Sequence, residues 1–219
     1  LLILDFGSQY TQLIARRVRE SGVYCEIQPF DVSEDYFSER VPNGVILSGG
    51  PETVTEGSTP RIPDKIFELG IPVLGICYGM QALASQLGGE VESSDRREFG
   101  HANIRMESAS ELMSTLDLAS DAEAQVWMSH GDKVVRLPEG FSVTASTDSA
   151  PIAAMEDANK KFFAVQFHPE VTHTPNGEKL IDRFAKDICG CGGEWTIENI
   201  AEDAIERIRE QVGEDEVVL

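Results

Sequence analysis

The side chain best placed for covalent chemistry is the thiol of Cys77, in Gly75-Ile76-Cys77-Tyr78-Gly79. Before it lies a short apolar run, Val73 to Ile76, which reads as a buried parallel strand. After it, Met80 to Leu87 has helical composition, and Gly88-Gly89 stops it. Strand, tight turn and helix, with glycines two residues to either side of a nucleophile, is the nucleophile-elbow pattern with cysteine in place of serine. Such a turn is strained and leaves no room for neighbouring side chains, hence the glycines. At a helix N-terminus the sulfur faces unpaired N–H groups and the positive end of the dipole, and both favour the thiolate. A buried structural cysteine is the competing reading, and spacing alone leaves the two evenly matched.

A thiol nucleophile needs a base, and two histidines have a carboxylate at a useful distance. In Phe167-His168-Pro169-Glu170 the residues two apart project the same way from extended chain, so Glu170 can orient the His168 imidazole. Pro169 restricts the backbone between them. In Ser129-His130-Gly131-Asp132, expected as a loop after a strand, His130 and Asp132 have the same spacing and form the competing pair. An energetically minor surface pair remains open for His168 and Glu170 taken alone. Beside an elbow cysteine, Cys77–His168–Glu170 is the more economical account. Ser48-Gly49-Gly50-Pro51-Glu52 follows an apolar strand, Val45 to Leu47, and falls at the carboxyl edge of a sheet, where ligands bind in open α/β folds. A plain turn is its alternative. It is no Walker loop, since no Gly-Lys-Ser/Thr follows. Asp5-Phe6-Gly7 spells a kinase tripeptide but lacks the accompanying phosphate and catalytic loops.

The elements that must position these residues change character near Val91. Before it, strands at Leu1–Leu4, Tyr24–Gln28, Val45–Leu47 and Val73–Ile76 alternate with helices at Tyr10–Glu20, Ile62–Leu69 and Met80–Leu87, a pattern of parallel strands and covering helices. After it, Phe99–Met106, Ala124–Met128, Phe141–Ala145, Ile152–Glu156 and Phe162–Phe167 read as strands with few helices between them, hence antiparallel or mixed. Asn176–Ile188 is a helix with Leu180, Ile181, Phe184 and Ile188 inward. Cys189-Gly190-Cys191-Gly192-Gly193 reads as a linker, and Thr196 as the N-cap of a last helix, Thr196–Val212.

The chain has 219 residues and a net charge of −20, with a pI near 4.4. That charge argues against nucleic acid or an anionic membrane as partner. No apolar stretch approaches the roughly 20 residues of a membrane helix, and the first residues lack the basic region of a signal peptide. From a start without Met, a true N-terminus upstream is expected. Cys25, Cys77, Cys189 and Cys191 suit neither a disulfide scaffold nor a four-ligand zinc site, so no metal is expected and a reducing cytoplasm fits.

Gly49-Gly50-Pro51-Glu52, Gly75-Ile76-Cys77-Tyr78-Gly79-Met80-Gln81 and Phe167-His168-Pro169-Glu170, in that order, resemble the class I (triad) glutamine amidotransferases, which hydrolyse glutamine and pass ammonia to a synthase. Further pieces resemble one branch of that family, in which an ATP pyrophosphatase half in the same polypeptide converts XMP to its aminated product. They are Leu4 to Tyr10, Arg97-Glu98-Phe99-Gly100, Ser129 to Val134, Glu170 to Thr174 and the tail from Trp195 to Gly213. The resemblance implies an α/β, flavodoxin-like three-layer fold with a mostly parallel central sheet and additional antiparallel strands in the second half. It implies Cys77 as nucleophile, His168 as base and Glu170 as its orienting carboxylate. The backbone N–H groups of Gly50 and Tyr78 would form the oxyanion hole. Gln81, Ser129, His130, Gly131 and Asp132 would bind the substrate. Residues 1–189 would be the glutaminase domain, with no cofactor of its own. Residues 190–219 would lead to the synthetase half, which would bind ATP and Mg²⁺ and make the full-length enzyme a homodimer. The chain ends at Leu219, before the pyrophosphate loop of that half.

Other readings stay open on the sequence. The chain could serve an anthranilate or carbamoyl phosphate type of synthase, although the tail beyond Cys189 argues against a stand-alone glutaminase. It could be a flavodoxin-like regulatory module without activity, against which the intact triad argues. A cysteine protease would need an extended cleft, on which the sequence is silent.

Overall fold

A computed structural model describes residues 1–57, 59–116, 123–196, 199, 205, 208, 209 and 211–213, with backbone alone at 39 and 94–97. In chain order the elements are β1 Leu2–Asp5, α1 Thr11–Glu20, β2 Glu26–Pro29, α2 Asp35–Glu39, β3 Val45–Leu47, α3 Lys65–Glu68, β4 Val73–Ile76, α4 Tyr78–Gln86, β5 Glu90–Met106, β6 Ala124–Arg136, β7 Ser142–Ser146, β8 Ala154–Asp157, β9 Phe162–Val165 and α5 Gly177–Arg183. A 3₁₀ turn, Met113–Leu116, precedes β6, and a π-helical turn, Phe184–Ile188, continues α5.

β3, β4 and β9 are apolar on both faces and fully buried, so both faces of the sheet must be covered. Alternation decides which residue goes where. Ile3, Ile46, Leu74 and Phe163 pack with Ile14 and Val18 of α1 and Leu180 and Ile181 of α5. Their strand neighbours Leu4, Val45, Leu47 and Phe162 pack on the other side with Ile66 of α3 and Met80 and Leu83 of α4. The result is three layers around one sheet of order β2-β1-β3-β4-β9-β8-β7-β5-β6. The five strands from β2 to β9 in that order run parallel, and the pairings from β9 through β8, β7 and β5 to β6 are antiparallel.

The register positions the site. β4 pairs with β9 through Ile76↔Val165, and the Cys77 amide donates to the Val165 carbonyl at 2.8 Å. The turn after β4 and the segment after β9 therefore lie side by side at the carboxyl ends of adjacent parallel strands, the ligand-binding edge of such sheets.

Several elements differ from the sequence expectation. Ser129-His130-Gly131-Asp132 is not a loop after a strand but the middle of β6, paired with a β5 that begins at Glu90 rather than Phe99. Polar residues in an alternating strand read as a loop until the partner strand is known. α3 spans only Lys65–Glu68 instead of Ile62–Leu69. Ile62 is held instead by the Gln86 side chain, which accepts from its amide at 2.8 Å and donates to its carbonyl at 3.0 Å. In the tail, Thr196 Oγ1 accepts the Asn199 amide at 3.2 Å, as an N-cap does. Of the apolar residues of the helix expected there, Ile205 and Ile208 are described and exposed, whereas Ile197, Ile200, Ala201 and Ala204 lie outside the described residues. Before it, Trp195 packs edge-on against Tyr24 with centroids 4.7 Å apart, and its amide donates to the Gly22 carbonyl at 2.7 Å.

Candidate active site

Cys77 occupies the N-cap of α4 with φ 53° and ψ −105°. Left-handed backbone at a residue with a side chain is strained and persists only where the surroundings impose it. The flanking glycines show how. A Cβ on Gly75 would stand 2.8 Å from the Gly79 backbone, and one on Gly79 would strike Leu47, its Cβ at 2.6 Å. The Gly79 amide donates to the Ser48 carbonyl at 3.1 Å, tying the elbow to the loop after β3. That loop is equally close: a Cβ on Gly49 would meet His168 Cε1 at 3.3 Å and Cys77 Cβ at 3.7 Å.

His168 is 3 % exposed and Glu170 fully buried. Glu170 Oε1 lies 2.7 Å from His168 Nδ1, and its other oxygen, Oε2, has no protein partner among the described residues. The carboxylate thus directs its side-chain hydrogen bonding at one imidazole. The other side of the ring meets Cys77. Burial pulls the His168 pKa down, but its hydrogen-bonding and charge interactions with Cys77 and Glu170 outweigh it and raise the value to about 10. The protein therefore favours the imidazolium form of His168. The backbone is fixed as well. Thr174 Oγ1 donates to the His168 carbonyl at 2.7 Å and accepts the Trp127 amide at 3.0 Å, and the His168 amide donates to the Trp127 carbonyl at 3.0 Å. Tyr10 packs edge-on against the ring at 5.3 Å.

His130 is also buried, but both its nitrogens are engaged elsewhere: Nδ1 lies 2.9 Å from the Asp132 carbonyl and Nε2 3.1 Å from Glu98 Oε2. Burial lowers its pKa, against the opposing Glu98 carboxylate and Asp132 carbonyl. It has no nitrogen left for Cys77, so the geometry selects His168 of the two histidines. His101 and His173 pack about Trp127, and neither lines the cavity described next.

Cys77 and His168 open into a cavity of about 770 Å³ also lined by Gly50, Gln81, Ser129, His130, Gly131 and Asp132. Every residue expected to bind substrate thus lines this cavity. Gln81 Nε2 donates to the Asp132 carbonyl at 2.9 Å and to Gln166 Oε1 at 3.3 Å, and the Cys77 thiol donates to the Ser129 carbonyl at 3.5 Å. The amides of Gly50 and Tyr78 donate to no protein acceptor among the described residues. The Tyr78 side chain turns into the core, its hydroxyl donating to the Pro60 carbonyl at 2.6 Å, so only its backbone is available for chemistry. Sequence reasoning gave no site role to Ser8, Tyr10, Ser93 and Phe99 in the cavity wall; Ser8 and Tyr10 follow β1, Ser93 and Phe99 lie in β5, and only tertiary folding brings them there. Among the described residues no Lys or Arg lines the cavity, and no group of His, Cys, Asp and Glu could hold a metal ion. No helix among them is long and apolar enough to cross a membrane.

Comparison with known proteins accords with this geometry. The family model for glutamine amidotransferase class-I matches residues 2–188. The chain belongs to the class-I glutamine amidotransferases. Within that family it is 59% identical, over its whole length and 42% of theirs, to proteins named GMP synthase [glutamine-hydrolyzing] from Haemophilus influenzae (strain PittGG) and Actinobacillus pleuropneumoniae serotype 3. It therefore spans about two fifths of the length of these relatives. A crystal structure from Thermoplasma acidophilum, of a protein described as one component of a GMP synthase, superposes with TM-score 0.71 at 27% identity, covering 94% of this chain and 96% of that one.

Proposed function

We propose that this chain is the glutaminase half of a GMP synthase. The observation that carries the proposal is the convergence of an elbow cysteine and a buried His168–Glu170 pair, 2.7 Å apart, on one cavity. The Cys77 thiolate attacks the side-chain amide carbon of glutamine, and the carbonyl oxygen becomes an oxyanion that the Gly50 and Tyr78 amides receive. The His168 imidazolium protonates the amide nitrogen as the C–N bond breaks, releasing ammonia and leaving a γ-glutamyl thioester. Neutral His168 then takes a proton from water, which attacks the thioester; the C–S bond breaks, and glutamate leaves with the thiolate restored. Glu170 orients the imidazole and stabilises its charged form throughout. With no cationic side chain in the described wall, backbone N–H groups of Ser129–Asp132 take the substrate carboxylate, and the Asp132 carboxylate favours its ammonium group.

Residues 1–189 form the glutaminase domain, which needs no cofactor. Residues 190–219 lead to a synthetase half that binds ATP and Mg²⁺ and uses the ammonia to convert XMP to GMP. The exposure of Ile205 and Ile208 supports a tail that packs on something other than the glutaminase core. The full-length enzyme is a homodimer of the reducing cytoplasm. The likeness to relatives named GMP synthase favours this branch over anthranilate or carbamoyl phosphate types.

The test uses a glutamine-like chloroketone and residues 1–219. Cys77 is expected to be alkylated, and glutamine to protect it. Cys77→Ala is expected to lose glutamate release altogether yet retain glutamine binding by calorimetry, since the pocket is built mainly from other residues. Normal turnover by Cys77→Ala, or alkylation indifferent to glutamine, would overturn the proposal.

A further inference from the structure

The segment that leaves β9 keeps the alternation of the strand. Phe163, Val165 and Phe167 pack on the α1 side of the sheet, and Phe162 and Ala164 on the α4 side. Gln166 falls in the second set. It is fully buried and meets Gln81 of α4, a polar side chain among Met80, Ala82 and Leu83 of the same layer.

Which groups can donate fixes the orientation of both carboxamides. The Asp132 carbonyl can only accept, so the Gln81 atom 2.9 Å from it is the NH₂ group, Nε2. The same Nε2 lies 3.3 Å from the Gln166 side chain, so the atom that faces it there is the acceptor, Oε1. This leaves Gln166 Nε2 buried and without a partner among the described residues. An unpaired buried donor is destabilising, and stability alone would favour an apolar residue at 166. What glutamine supplies at this position is the one acceptor, Oε1, and that acceptor is spent on Gln81. The Asp132 carbonyl is already shared with His130 Nδ1, 2.9 Å away. By itself it would leave the terminal torsion of Gln81 loose, since such torsions have broad wells. Two acceptors on one NH₂ group set the plane of the carboxamide and give its oxygen a single direction. Gln81 lines the cavity, and Oε1 is the part of its carboxamide not engaged by Asp132 or Gln166.

We propose that Gln166 is a positioning residue that locks the Gln81 carboxamide, so that Oε1 of Gln81 faces the cavity as an acceptor for the α-ammonium group of the substrate. The inference rests on the glutaminase reading and deepens it. Gln81 stands beside Asp132, in the wall that meets the amino acid end of glutamine, and an oxygen there suits an ammonium group and not a carboxylate. Gln166 touches neither the substrate nor the reacting amide; it acts through Gln81.

The experiment alkylates Cys77 in residues 1–219 with a glutamine-like α-amino chloroketone and with its counterpart lacking the α-amino group. Gln166→Met has nearly the same volume and removes the acceptor and the unpaired donor together. It is expected to slow the amino reagent roughly tenfold, the order of one lost hydrogen bond to a charged group, and to leave the des-amino reagent unaffected. Its Tm should hold or rise. Gln166→Glu, which keeps an oxygen in the place of Oε1, should retain most of the amino rate. In a Gln81→Met background Gln166→Met should cost nothing more, because the residue it positions is gone. Equal slowing of both reagents, or a lowered Tm, would mean a structural role. Unchanged rates with both reagents would mean that Gln81 needs no such hold, and a further loss in the Gln81→Met background would mean that Gln166 acts by another route. Each of these results overturns the inference. If glutamine fails to protect the unaltered chain from the amino reagent, the glutaminase reading itself falls, an outcome distinct from all of these.

Discussion

His168 is held between two groups that both prefer it charged, and this has consequences in pH. Its pKa is raised from 6.5 to about 10, burial opposing and the Cys77 and Glu170 contacts prevailing. The folded chain then binds a proton that the unfolded chain releases above pH 6.5. Stability from this source is complete below that pH and is lost as pH rises through about 10. Imidazole NMR should show His168 titrating far on the alkaline side of an ordinary histidine. In Cys77→Ala, which removes one of the two raising groups, the midpoint should move down; an unchanged midpoint would mean that Cys77 is not a cause. In the proposed mechanism the same residue serves as acid and base, so His168→Ala should cost roughly 10²–10⁴ in kcat. His130→Ala should act mainly on KM, because both its nitrogens already serve the pocket wall. Steady-state glutamate release distinguishes the two, and a silencing His130→Ala beside a mild His168→Ala would reverse the assignment. These triad residues were legible in the sequence because their signals are local: two glycines about a cysteine, and a carboxylate two residues from a histidine. Ser93 and Phe99, which line the cavity, were not assigned to it, because they reach it only once β5 lies across β6.

At the scale of elements, the elbow depends on close approach of backbone. Gly79 touches Leu47 and Gly75 touches Gly79, so α4 packs on β3 and β4 at a distance that no side chain would allow. Gly79→Ala should destabilise by about 1–3 kcal/mol through overpacking and also displace Cys77, lowering activity along with Tm. Gly57, whose added Cβ would meet nothing within 4 Å, is the control: Gly57→Ala should leave Tm nearly unchanged. Thermal unfolding of the pair checks this, and equal Tm values for both would remove the packing argument. The parallel half of the sheet was readable in advance because buried strands such as Val45–Leu47 are continuous apolar runs. The β5–β6 ribbon was not. β6 keeps strict alternation of burial from Val126 to Val135, but Ser129 to Asp132 place polar residues at both phases, and only cross-strand partners show that this is strand. The helix expected from Ile62 was shortened by a tertiary competitor, since Gln86 binds both backbone groups of Ile62.

At the scale of the whole molecule, the proposed function implies that residues 1–219 alone hydrolyse glutamine slowly, uncoupled, and cannot make GMP. The triad is assembled, with His168 between Cys77 and Glu170, so the groups for thioester formation are in place. Turnover also needs the Gly50 and Tyr78 amides aimed at the developing oxyanion. Those amides have no protein acceptor among the described residues, and Gly50 lies in a glycine-rich loop that packs against the Phe6 carbonyl rather than within a sheet. A loop of this kind has conformations separated by a few kcal/mol, and a partner that binds one of them better shifts the population toward it. A misplaced oxyanion donor costs roughly 10²–10³ in rate, which is the range through which a nucleotide-loaded synthetase half could raise glutamine hydrolysis. Such an arrangement prevents ammonia release when no acceptor is ready. Glutamate release by residues 1–219 should therefore be low alone and rise when the synthetase half is supplied in trans with ATP, Mg²⁺ and XMP. Equally high turnover in both conditions would show that the oxyanion site is competent without its partner, and the coupling argument would fail.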